Sequence, residues 1–238
     1  MDISEINLDE THIRLTTDLS CHDLKRYIFS IRRDLKNYIF KNQEFALSLE
    51  PIKSEDNLPL IVKTMIDASN IADVGPMACV AGAISQLSLN YLIEQDSKYS
   101  IVENGGDIAL INDSSLLCGI YSNNQVLGND IAFKIKPRKK PLGICTSSGK
   151  IGHSISFGKS DSVTVISKSS AISDGIATRV ANEVNGSNSE EKVSKGLECG
   201  EDYSEFFDGL LIISENNVGT VGRLPKIIET KEFDVKIV

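Results

Sequence analysis

The sequence predicts an α+β fold: a mostly antiparallel, twisted sheet with helices packed against it, in one domain over residues 1–238. Three observations carry that reading. With 238 residues and 41% apolar content, the chain can bury one well-packed core. Helical periodicity dominates the early part of the chain, while short apolar runs broken by Gly, Asn, Asp or Pro fill the middle. Helices and strands therefore fall in separate blocks instead of a regular βαβ alternation. There is no internal repeat, low-complexity tract or interdomain linker.

Thr11–Thr17 (THIRLTT) alternates as a first strand. Ser20 followed by Asp23 resembles a capping box and opens an amphipathic helix, in which Leu24, Tyr27, Ile28, Ile31, Leu35, Tyr38 and Ile39 recur at helical spacing. Its opposite face carries Lys25, Arg32, Arg33 and Lys36, read as a solvated face. Leu58–Ala72 forms a second helix. Gly75–Glu94 forms a third, with Pro76 in its first turn and Ala78, Ala81, Gly82 and Ala83 as packing residues. Strands follow at Tyr99–Glu103, Asp107–Ile111, Leu116–Tyr121, Ile131–Ile135, Gly143–Cys145, Ser154–Phe157 and Ser162–Ser167. A helix over Ser173–Val184 ends at Asn185–Asn188 with Gly186 as its C-cap. A short charged helix at Glu190–Leu197, a strand at Gly209–Ser214 and a turn at Asn216–Asn217 into a last pair of strands complete the chain.

Net charge is −8 and the pI is about 5.0, so the surface repels a phosphate backbone and a nucleic-acid partner is not expected. Lys134, Lys136, Arg138, Lys139 and Lys140 cluster around Pro137 and Pro141, as a small anion-facing patch or, by the simpler reading, a solvated connecting loop. The stretch Val74–Ile93 has no formal charge, but its Gly, Pro, Ser, Gln and Asn residues suit a helix buried in protein better than a membrane span. MDISEINLDE lacks the apolar core of a secretory signal. Cys21, Cys79, Cys118, Cys145 and Cys199 are dispersed and form no CxxC pair, which predicts reduced thiols in a cytoplasmic protein. Self-association stays open.

Three patches carry candidate chemistry. In Asn104–Gly105–Gly106–Asp107, two glycines expose backbone N–H groups to a phosphate or ribose, and Asn104 and Asp107 offer hydrogen bonds. A hairpin turn is the competing reading, and chemistry alone favours it. In Thr146–Ser147–Ser148–Gly149, hydroxyls and amides suit a phosphate, with Lys150 and His153 nearby; the spacing is not that of a Walker loop. His153 is a ligand donor, an acid–base group or a surface residue. Cys145 is a reactive thiol if loop amides lower its pKa, and otherwise a core thiol, the simpler reading. In Ser169–Thr178, Asp174 and Thr178 lie four apart on one helix face and could offer two oxygens to a hard cation. An acidic residue in a first helical turn is also ordinary dipole chemistry, and taken alone that reading prevails.

In order, VENGGDI (Val102–Ile108), Thr146–Gly149 with His153, and SVTVISKSSAISDGIAT (Ser162–Thr178) resemble the N-x-GGD, T-S-G…H and A-D-x-x-x-T segments of the ApbE-like superfamily, whose best-known members are FAD:protein FMN transferases. The resemblance spans roughly Asp73 to Val184. It implies an ApbE-like fold, a flavin or nucleotide ligand such as FAD or another dinucleotide, and Mg²⁺ held by Asp174 and Thr178. Asn104, Gly105, Gly106, Asp107, Thr146, Ser147, Ser148 and Gly149 would line the ligand, with His153 as the catalytic candidate. The stretch Asp73–Ala78 stands where flavin transferases carry A-K-G-Y and lacks the lysine, and His153–Gly158 lacks their Asp-Pro. Asp73–Ala83 resembles a cytoplasmic branch of the superfamily common in methane-producing archaea and connected with sulfur assimilation and homocysteine formation. Besides a transferase, the resemblance leaves room for a non-catalytic nucleotide-binding module or an accessory factor in sulfur transfer using Cys145 or Cys118.

Overall fold

A computed structural model describes residues 1–20, 23–120, 131–148 and 160–230. In chain order the elements are β1 (Asp2–Leu8), β2 (Thr11–Thr17), α1 (Leu24–Lys41), α2 (Gln43–Leu47), α3 (Leu60–Ala72), a 3₁₀ turn (Pro76–Cys79) running into α4 (Val80–Glu94), β3 (Ser100–Asn104), β4 (Asp107–Asn112), β5 (Leu116–Gly119), β6 (Ile131–Ile135), β7 (Arg138–Ser147), β8 (Ser162–Ser167), α5 (Ser170–Glu183), α6 (Ser189–Asp202), β9 (Gly209–Ser214), β10 (Asn217–Gly222) and β11 (Lys226–Glu229). Eight strands form one sheet in the order β1-β2-β3-β4-β7-β8-β9-β10, antiparallel at every junction. A second antiparallel sheet has the order β11-β6-β5. The α+β expectation with a mostly antiparallel sheet therefore holds.

Period-two alternation sorts the strand residues between two cores. Val102, Ala109, Val163, Val165, Leu210 and Ile212 face the helices, while Leu110, Ile144, Ile166, Leu211 and Ile213 face the small sheet with Phe133 and Ile135. Covered on both sides, β8 and β9 are buried along their whole length. The stretch Pro76–Glu94 is, among the described residues, the one helix long and apolar enough to cross a membrane. Here it packs against α3, α5, β3 and β4 with more than half of it buried. Burial almost all round explains why its sequence lacks a polar face.

Several local expectations are corrected. Asp23 stands at the N-cap of α1 but makes no side-chain cap bond, so the capping box does not form. Arg32 leaves the solvated face: it is buried against the Thr11 hydroxyl and pairs with Asp9 at 3.2 Å and Glu10 at 2.7 Å, pinning the β1–β2 turn to α1. The segment Arg138–Lys140 is no loop but the start of β7, because pairing of Arg138 with Asn112 of β4 overrides its polarity. The helix after β8 starts at Ser170, and it ends with Val184 as C-cap; Gly186 is not left-handed. Strand β1 and helix α2 had no counterpart in the sequence reading, and the strand expected at 154–157 lies outside the described residues.

Candidate functional site

Strands β3 and β4 are joined by the shortest possible hairpin. Asn104 and Asp107 are the last cross-strand pair, and Gly105 and Gly106 between them have φ of 62° and 102°. Positive φ at both central positions is what a type I′ turn requires and what glycine permits. A Cβ at either position would meet nothing within 4 Å, so the turn opens to solvent. The hairpin reading of NGGD is thus the local structure, and its backbone is accessible. Asn104 points inward and its Nδ2 donates to the Ala81 carbonyl at 3.3 Å.

Helix α5 meets the start of α4 in a reciprocal capping arrangement. The Asp174 carboxylate accepts the Gly82 N–H at 2.8 Å and also the Ala81 N–H, which are two of the donors that a helix N-terminus leaves unpaired. Gln86 of α4 in turn accepts from the Ser169 hydroxyl at 2.6 Å and from the Ala171 N–H at 3.3 Å at the start of α5. The Ser170 hydroxyl donates to the Gly82 carbonyl at 2.7 Å. This crossing needs a missing side chain: a Cβ on Gly82 would lie 2.3 Å from the Ser170 oxygen and 2.7 Å from the Asp174 Cβ. Asp174 is therefore not a first-turn dipole residue of its own helix. With α5 beginning at Ser170 it lies beyond that turn, and the helix it caps is α4.

Asp107 and Asp174 bury two carboxylates close enough to repel. Burial pushes Asp107 up to about 7, partly relieved by the Cys145 thiol and the Thr146 N–H. Burial, then the charge of Asp107, drives Asp174 well above the usual carboxylate range. One oxygen of Asp107 has no hydrogen-bond partner although it is fully enclosed. Thr178, one turn beyond Asp174, is buried on the same helix face. Cys79 and Cys145 flank the pair, and burial reinforced by both carboxylates pushes both thiols well up. Cys145 is thus a core thiol, its Sγ 3.1 Å from the Ser170 carbonyl, and not an activated nucleophile. Cys118, pushed up to about 12 by burial, is equally protonated.

The Thr146–Gly149 segment divides between two faces. Strand alternation turns the Thr146 hydroxyl away from the carboxylates, where it bonds the Thr164 hydroxyl at 2.9 Å; only its backbone N–H reaches Asp107. Ser147 is buried on the same face as Cys145, and Ser148 follows the strand end. Gly149 and His153 lie outside the described residues. The fold thus gathers Asn104, Asp107 and Asp174 around the start of α4, with Thr178 buried one turn further along α5, and excludes the Thr146 side chain. The sequence reading took Gly82 as a packing residue, which the close approach of α5 bears out, but missed Gln86, whose contacts exist only once α4 and α5 cross. It assigned Asp107 to the ligand alone, although the structure makes it the electrostatic partner of Asp174. Among the described residues no group of three or more His, Cys, Asp or Glu side chains is set to hold a metal. A cation here would rely on two carboxylates, a hydroxyl and oxygens brought by a ligand.

Comparison with known proteins bears on the fold and the family. The flavinyl transferase ApbE of Pseudomonas stutzeri, in its apo form, superposes with a TM-score of 0.59 at 13% identity, covering 98% of this chain and 95% of that one. The flavin transferase ApbE of Vibrio cholerae gives 0.57 at 14% identity, covering 98% and 97%. These likenesses show the fold. In sequence, a UPF0280 protein of Methanobrevibacter smithii is 59% identical over 238 residues, 100% of both chains. Another from Methanothermobacter thermautotrophicus is 44% identical, covering 96% of this chain and 88% of the relative. The family described as AbpE bacteria matches residues 5–199, and this chain belongs to it as an ApbE-like protein of the UPF0280 type.

Proposed function

We propose that this protein binds a flavin or other dinucleotide diphosphate together with Mg²⁺ at the junction of β4, α4 and α5. The observation that carries the reading is the pair Asp107 and Asp174: two buried carboxylates, one with an unpartnered oxygen, whose mutual repulsion a divalent cation would relieve. The donor set is all oxygen, as a hard cation prefers. Mg²⁺ commonly takes one or two carboxylates, completing its shell with water and phosphate oxygens. Asp107, Asp174 and Thr178 would hold the ion, which supplies neutralisation of phosphate charge when bound. The α4 amides keep the Asp174 carboxylate oriented, and the open Gly105–Gly106 turn leaves backbone accessible to a ligand. The flavin transferases of the same fold support the ligand class. Binding without robust transfer of FMN to a protein is the reading we favour, because the A-K-G-Y lysine and the Asp-Pro are missing from this sequence.

The test is a titration of FAD, with and without Mg²⁺, against wild type, Asp174→Asn and Thr178→Val. Asparagine keeps the shape and the capping oxygen for the α4 amides but loses the charge. The expected result is Mg²⁺-enhanced binding in wild type, at least tenfold weaker in Asp174→Asn and less affected in Thr178→Val. Equal affinities in all three proteins would sink the metal assignment and leave Asp174 as the cap of α4 alone.

A further inference from the structure

The first turns of α4 hold both carboxylate residues of the proposed site, by different means. Asp174 of α5 is held through its side chain, which accepts from the Ala81 and Gly82 N–H groups. Asp107 of β4 is held through its backbone: the Ser85 hydroxyl, on a wholly buried residue, donates to the Asp107 carbonyl at 2.8 Å. Asn104, the cross-strand partner of Asp107, is tied to the same turn through the Ala81 carbonyl at 3.3 Å. One stretch of helix, Ala81–Ser85, thus grips both strands of the β3–β4 hairpin and the acidic residue of α5.

The Ser85 bond is not the ordinary one for a serine inside a helix. Such a hydroxyl turns to solvent or bonds the carbonyl four residues back. Four residues back from Ser85 is Ala81, whose carbonyl takes the Asn104 amide, while Ser85 reaches across to β4, 22 residues on in the chain. Burial by itself does not produce such a bond either. Ser88, one turn further along α4, is equally buried, yet its hydroxyl has no hydrogen-bond partner among the described residues. Asp107 and Asp174 come from distant elements, so their spacing depends on what each is anchored to, and both are anchored to α4.

We propose that Ser85 is a positioning residue that fixes Asp107 relative to Asp174 and so sets the preference of the site for Mg²⁺ over Ca²⁺, a role that rests on the cation site proposed above. Mg²⁺ demands a near-ideal octahedron of short oxygen contacts, whereas Ca²⁺ accepts longer and more variable ones. Carboxylates held at a fixed spacing suit the smaller ion, and a spacing free to drift favours the larger. Isothermal titration calorimetry with Mg²⁺ alone and with Ca²⁺ alone compares wild type, Ser85→Ala, Ser88→Ala and Asp174→Asn. Ser88→Ala makes the same change on the same helix without removing a hydrogen bond, and alanine favours the helix in both variants. Wild type is expected to prefer Mg²⁺. Ser85→Ala should lose about three- to tenfold in Mg²⁺ affinity, the worth of one buried hydrogen bond, and less than about twofold for Ca²⁺. Ser88→Ala should keep the wild-type ratio, and Asp174→Asn should lose both ions. Ser85→Cys, close in size but a weak donor, should repeat the shift and carries the comparison should the alanine protein unfold. A Mg²⁺-to-Ca²⁺ ratio unchanged in the Ser85 variants, or one that falls as far in Ser88→Ala, would overturn the positioning role while leaving the cation site standing. A wild type that takes up neither ion, or uptake that survives in Asp174→Asn, would overturn the cation site and the role of Ser85 with it.

Discussion

Asp107 sits buried with one oxygen unpaired, a state that a proton or a cation stabilises and a bare charge does not. Its carboxyl has an ordinary value of 3.8, raised by burial to about 7 in the fold. Between those values the folded state holds a proton that the unfolded chain has released. The associated stability is therefore complete below about pH 4 and is lost as pH rises through 7, at up to about 1.4 kcal/mol per pH unit. Asp107→Asn should flatten that slope in metal-free protein, as read from urea midpoints across the same pH range. A wild-type stability that does not fall between pH 4 and 7 would show that the carboxylate is satisfied in a way the structure does not contain. Thr146 illustrates the opposite lesson at this scale. Its place in a serine- and threonine-rich motif suggested a ligand hydroxyl, but strand alternation spends that hydroxyl on Thr164 behind the sheet.

At the scale of elements, the α4–α5 crossing assembles the site. It brings Asp174 to the α4 amides and Gln86 to the start of α5, and it depends on Gly82 having no side chain. Gly82→Ala would gain about 1 kcal/mol of helix propensity but force the helices apart, and overpacking of this kind costs about 1–3 kcal/mol. Because the clash is with the Ser170 backbone, the cost falls toward the upper end of that range, a net loss of about 1–2 kcal/mol, and a melting temperature lower by roughly 2–8 °C is expected. Because Gly82 N–H is a donor to Asp174, Mg²⁺-dependent FAD binding should weaken as well. A variant that melts at or above wild type with unchanged binding would mean that the close approach is not needed. The small residues of VAGA were legible as packing residues, but not what they pack against.

For the whole molecule, the fold is shared more widely than the sequence. A chain 13% identical to a flavinyl transferase superposes over nearly its whole length, and fold alone does not carry chemistry. The motif departures lead us to expect that purified protein, given FAD, Mg²⁺ and an acceptor protein bearing a target threonine, transfers little or no FMN covalently. Mass spectrometry of the acceptor reads the outcome. Stoichiometric flavinylation would show that the missing lysine and Asp-Pro are dispensable for this family member.

The sequence by itself determined most element types, the α+β class and the family, because periodicity, glycine turns and ordered motifs are local properties of the chain. Strand β9 matches its expected range, Gly209–Ser214, since the apolar run Leu210–Ile213 flanked by Gly209 and Ser214 has few alternatives. Tertiary structure decided what pairing and crossing create. It turned Arg138–Lys140 from loop to strand through β4 and moved Arg32 from the solvated face into the β1–β2 turn. It set Asp107 and Asp174 against each other although they lie far apart in the chain. A carboxylate's role depends on which charges and amides surround it, and those neighbours come from elements that only the folded chain brings together.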